Sequence, residues 1–83
     1  MEKNEMTAME ISEYMHSLKV QDPDLDKIYT NITNMIRKMS SLEVLYRQTR
    51  KKSVKNELDR QRQEIFKAIK LYKRYLFMLK LMS

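Results

Sequence analysis

The chain contains no glycine, and its only proline is Pro23. Glycine is the residue that enters positive φ without a steric penalty, so tight hairpins and bulges lose their usual residue here. The abundant Met, Leu, Ile, Lys, Arg, Gln and Glu are compatible with helix. Few, long helices are therefore expected. Folding at this size buries only about 60% of the surface that the unfolded chain exposes. With no cysteine in the sequence, neither a disulfide nor a cysteine-based zinc knuckle can add support. Helix packing and oligomerisation are the remaining sources of stability.

Thr7-Ala8-Met9-Glu10 has the spacing of a capping box, which predicts a first helix starting after Thr7. Ala8, Ile11, Met15 and Leu18 form its narrow apolar stripe, and the Asp22-Pro23 step ends it near Val20 or Gln21. Asp22 is a good cap for a second helix, with Pro23 at the first helical position and Asp24 and Asp26 at the positive end of the helix dipole. Leu25, Ile28, Ile32, Met35, Met39, Leu42 and Tyr46 alternate at spacings of three and four, with Tyr29 and Ile36 widening the face. This is the periodicity of a packing seam. Ser40 and Glu43 offer a second cap, but the seam crosses the serines in register, so one continuous helix is expected.

Between Arg47 and Glu64 only Val54 and Leu58 are good core candidates. A third apolar run follows on Ile65, Ala68, Ile69, Tyr72, Tyr75, Leu76, Leu79 and Met82. Two apolar runs flanking a polar stretch predict an all-α fold: a long, coiled-coil-like antiparallel hairpin with an additional short N-terminal helix. The reversal is expected near 51–55, with Ser53 or Asn56 as turn or cap residues. Centred on Ser53, it places Ile32 towards Tyr75 and Leu76, and Leu25 towards Met82. A single helix from Pro23 to Met82, about 90 Å long at 1.5 Å per residue, is the alternative.

Charge divides the chain close to the Asp22-Pro23 step. Residues 1–26 hold seven acidic and two basic side chains, a balance of −5, whereas 27–83 hold fifteen basic and four acidic ones, a balance of +11. Two units are expected: an acidic N-terminal segment over 1–22 with a short helix, and a basic hairpin over 23–83. Either the acidic segment folds back on the basic body, or the body offers its positive face to an acidic partner or a nucleic acid. The longest apolar run, Tyr75 to Leu79, is far short of the roughly 20 residues that span a bilayer. No secretory pattern opens the chain, and an intracellular, cytoplasmic location is expected.

No constellation for catalysis or cofactor binding is recognisable. His16 is the single histidine, with no partners for a zinc site, and without glycine there is no phosphate-cradling loop or nucleophile elbow. The expectation is a non-enzyme without cofactor or metal. Leu45-Tyr46-Arg47 resembles the tripeptide that names the LYR family of small helical mitochondrial accessory proteins. The resemblance covers these three residues alone. In that family the motif lies close to the start of the first helix, whereas here an acidic helix and a proline-marked turn precede it.

Two functional expectations remain. Leu71, Phe77, Met78 and Leu81 lie at the margin of the third apolar stripe or outside it, which leaves the last helix apolar on two sides. They are the expected interface of a protein-interaction or assembly subunit, paired with its own copy or with another helical protein. Arg47, Arg50, Lys51, Lys52, Lys55, Arg60 and Arg62 are the expected contacts if the chain instead binds DNA or RNA through phosphates, without sequence selectivity. Peripheral attachment of the last helix to an acidic membrane is a third, weaker reading; integral insertion is not expected.

Overall fold

The computed structural model describes residues 5–82. Glu2 and Lys3, counted above in the acidic segment, lie outside the described residues, as does Ser83. The protein is all-α, with helices α1 (Ala8–Ser17), α2 (Pro23–Thr49) and α3 (Lys52–Met82). The hairpin of α2 and α3, with α1 against it, gives a molecule of 49 × 21 × 17 Å, too short for one uninterrupted helix of about 90 Å.

Local chemistry sets the helix starts. The Glu10 amide donates to Thr7 Oγ1 at 3.2 Å while the Thr7 amide donates to Glu10 Oε1 at 3.0 Å, satisfying two otherwise orphan donors. At the start of α2, Asp22 Oδ1 accepts from the amides of Asp24 and Leu25 at 3.0 and 3.1 Å. Helix α1 ends at Ser17 with Leu18 as its C-cap, about a turn before the expected Val20 or Gln21. The Leu18 carbonyl turns out to Tyr72 instead of continuing the helical ladder. Ser40 and Ser41 lie inside an unbroken α2.

The reversal occurs at Arg50 and Lys51, at the N-terminal edge of the expected 51–55 window. Arg50 adopts the left-handed conformation at φ 54°, ψ 22°, and its amide donates to the Tyr46 carbonyl at 2.7 Å. A side chain in this region costs about 1 kcal/mol that glycine would not. Helix α3 begins at once, the Lys51 carbonyl accepting from the amides of Val54 and Lys55 at 3.1 Å each. Ser53 and Asn56, the expected turn residues, are helical.

This reversal resets the register. Tyr29 and Tyr72 are equidistant from it in sequence, and their rings lie 6.1 Å apart at 59°. The same spacing places Ile32 level with Ile69 and Ile36 level with Ile65, all four being buried. The expected partners of Ile32, Tyr75 and Leu76, are therefore displaced by about six or seven residues, nearly two helical turns. The core consists of Ile11 and Met15 from α1, Leu25, Ile32, Ile36 and Met39 from α2, and Leu58, Ile65, Ile69 and Tyr72 from α3, with Ala8 at its edge. Tyr75, Leu79 and Met82, expected in the seam, are 46%, 37% and 82% exposed.

Ile65 is fully buried, so Ile65→Ala is expected to lower the unfolding free energy by about 2–4 kcal/mol through lost transfer energy and a residual cavity. Arg50→Gly is expected to raise it by up to about 1 kcal/mol, by relieving the left-handed side chain. Urea unfolding monitored at the helical circular-dichroism band measures both.

Candidate protein-interaction surface

Four long-range hydrogen bonds lock α1 against the middle of the hairpin. The Ala8 amide donates to Glu43 Oε2 at 3.0 Å, placing a carboxylate at the positive end of α1. Arg62 Nε donates to the Met6 carbonyl at 2.9 Å. At the other end, the Tyr72 hydroxyl donates to the Leu18 carbonyl at 3.0 Å and Lys73 Nζ donates to the Tyr14 hydroxyl at 2.9 Å. Helix α1 thus runs antiparallel to α2, between the levels of Arg62 and Tyr72 on α3. The ion pairs between described residues, Lys55–Asp59, Arg60–Glu57, Arg62–Asp59 and Lys67–Glu64, all lie within α3. Among the described residues, apolar packing and these hydrogen bonds join the acidic segment to the hairpin.

Beyond Tyr72, α3 leaves the cover of α1. It is also the longer arm of the hairpin, at 31 residues against the 27 of α2. The difference is about one helical turn, and its last residues extend past the start of α2. The exposed apolar side chains gather here: Leu71 is 45% exposed, Phe77 63%, Met78 48% and Leu81 71%. The structure thus brings all four expected interface residues onto one terminal stretch of α3. Tyr75, Leu79 and Met82 join them, along with a groove in which Tyr75, Met78, Leu79 and Met82 face Leu25 and Ile28 of α2. Asp22 and Asp24 form the acidic edge of that groove. Sequence reasoning missed Tyr75, Leu79 and Met82 because their periodicity fits the seam; the register of α3 against α2 decides their exposure.

The basic stretch is divided. Arg47, Arg50, Lys51, Lys52 and Lys55 are exposed around the reversal, where the first turn of α3 contains no acidic residue. The Arg50 guanidinium lies 5.7 Å from the Tyr46 ring centroid. Arg60 bonds to Glu57 at 2.6 Å. Arg62, expected on the nucleic-acid face, is buried at 8% exposure, where it bonds Asp59 Oδ1 at 2.9 Å as well as Met6. It joins the residues leading into α1 to α3 and is not part of the charged surface. A charge run read from sequence does not reveal that this arginine points inward, because its phase is that of Leu58, Ile65 and Ile69.

Among the described residues no group of three or more His, Cys, Asp or Glu could hold a metal, and no helix is long and apolar enough to cross a membrane. His16 is exposed on α1. No protein-family model, curated protein or solved structure matches the chain. Leu45, Tyr46 and Arg47 lie in the last turns of α2, the second helix.

Burial raises the pKa of Tyr72 above its ordinary value of 10.0, opposed in part by a backbone hydrogen bond from Val20 and reinforced by Tyr29, Asp26 and Asp22. The protonated hydroxyl is the donor to Leu18, so the folded state resists its ionisation. Its contribution is complete below the unfolded value near 10 and is lost as pH rises through the higher folded value. Tyr72→Phe is expected to cost about 1 kcal/mol at neutral pH and to flatten the loss of stability above pH ~10. Urea titrations across that range measure both effects. Arg62→Ala is expected to cost about 2 kcal/mol, because the part-buried Met6 carbonyl and the Asp59 carboxylate lose their charged donor, whereas Lys51→Ala is expected to change stability by less than about 0.5 kcal/mol.

Proposed function

We propose that the protein is an assembly subunit that binds a helical protein through the C-terminal stretch of α3. The observation that supports this most is the contrast within one helix: Ile65 and Tyr72 are fully buried, while Phe77 and Leu81 are 63% and 71% exposed only a turn or more further on. An apolar surface of this kind on a chain this small marks an interaction site. Covering about 400 Å² of it stabilises a complex by roughly 10 kcal/mol in transfer terms, before the cost of association. Exposed ion pairs contribute only about 0–1 kcal/mol each, so the cationic residues are better suited to steering a partner than to holding it.

A second reading is favoured by one specific feature. Arg47, Arg50, Lys51, Lys52 and Lys55 surround the reversal, at the opposite end of the rod from the apolar surface. Phosphate contacts require charges in such an arrangement, and DNA or RNA would be bound there without sequence selectivity.

The two readings respond oppositely to salt. Association through the apolar surface is expected to survive about 1 M salt, where charges are screened over about 3 Å, and to be abolished by Phe77→Asp with Leu81→Asp while the helical spectrum is unchanged. Association that disappears in salt, survives this double substitution, and is lost on Lys51→Glu with Lys52→Glu would overturn the assembly reading in favour of nucleic acid. Light scattering after gel filtration, with and without nucleic acid, measures the complexes.

A further inference from the structure

We propose that the occupant of this surface is a second copy of the chain, the two α3 helices running parallel about a two-fold axis. The proposal rests on the assembly reading and specifies its partner. Leu71, Tyr75, Met78 and Met82 follow one another at spacings of four, three and four, so they share one face of α3. That is the heptad spacing of a helix that pairs along a seam. Leu71, Tyr75 and Met78 are about half exposed and Met82 is 82% exposed, so the seam is only partly covered in the single chain.

Charge on the two flanks of the seam identifies the partner. On one flank α2 contributes Asp22 and Asp24, which edge the groove containing Tyr75, Met78 and Met82. On the other flank, away from α2, stands Arg74, about 60° round α3 from Leu71 by the helical period. Arg74 and Asp24 are both exposed. Counted from the reversal at Arg50 and Lys51, Asp24 is level with Phe77, less than a turn from the level of Arg74. One surface thus carries an apolar centre, an acidic edge and a basic edge at similar heights.

A surface of this form is self-complementary in one orientation. Rotation about an axis parallel to α3 exchanges left and right flanks, bringing Asp24 of each copy to Arg74 of the other. An antiparallel pair keeps the flanks on the same sides and sets acid against acid. Isologous contacts of this kind are the commonest route to a homodimer, and complementary edges select register and partner more than they add affinity.

The test is light scattering on the full chain over a range of concentration. The wild type is expected to reach twice the 10.2 kDa chain mass. Asp24→Arg alone and Arg74→Asp alone are each expected to weaken dimerisation at least tenfold, with helical content unchanged. Mixing these two variants in equal amounts is expected to restore a dimer, because every contact in the mixed pair is then between opposite charges. The chain has no cysteine of its own, so Met82→Cys is expected to cross-link two copies under oxidation, as only the parallel arrangement brings residue 82 beside its equivalent. A wild type that remains monomeric at high concentration overturns self-pairing. If that monomer still forms a salt-resistant complex with a different helical protein, lost on Phe77→Asp with Leu81→Asp, the assembly reading stands without it. A dimer indifferent to both charge reversals, or one in which Met82→Cys fails to cross-link, also overturns the parallel arrangement.

Discussion

The placement of the reversal at Arg50 and Lys51 governs the rest of the structure. A hairpin has one degree of freedom after its helices are formed, the register of one arm against the other, and the connecting residues set it. Here two residues suffice because Arg50 takes the left-handed conformation, at a cost of about 1 kcal/mol. Neither Ser53 nor Asn56 is used, and α3 gains its first turn from residues that otherwise read as loop. Ile32 then meets the level of Ile69, Ile36 that of Ile65, and Tyr29 that of Tyr72. The levels at which α1 is received, and the length of α3 left uncovered, follow from that register.

Helix α1 acts as a cover for the middle of the hairpin. Its ten residues span about 15 Å, well short of either arm. Its fixed points are Glu43 and Arg62 at one end and Tyr72 and Lys73 at the other. Most of the core lies between these levels, with Leu25 beyond them. Towards the reversal the hairpin is polar and cationic, so exposure there is compatible with water. Towards the free end the side chains are apolar, and the same lack of cover leaves a surface suited to another helix.

Several charged side chains on both sides of the asymmetry serve the fold locally. The acidic N-terminal residues form no ion pairs with the basic body among the described residues. Thr7 and Glu10 cap α1, Asp22 caps α2, and Asp24 stands at an apolar groove. The cations likewise divide by phase around α3. Arg62 turns inward to serve the fold, while Lys52 and Lys55 remain exposed near the tip.

Helix content, two helix starts and the pairing of α2 with α3 were legible from the sequence because each depends on local chemistry: the Thr7–Glu10 box, the Asp22-Pro23 step, and apolar residues at helical period. The four exposed residues Leu71, Phe77, Met78 and Leu81 were legible too, since they lie off the main stripe whatever it packs against. Register was not, because a seam of regular spacing is compatible with sliding by whole turns, and no glycine marked the reversal. The inward turn of Arg62, the exposure of Tyr75, Leu79 and Met82, and the acidic edge at Asp22 and Asp24 depend on which residue stands opposite which across the hairpin. Periodicity assigns a residue to a face; only the tertiary structure decides whether another helix is there to cover it.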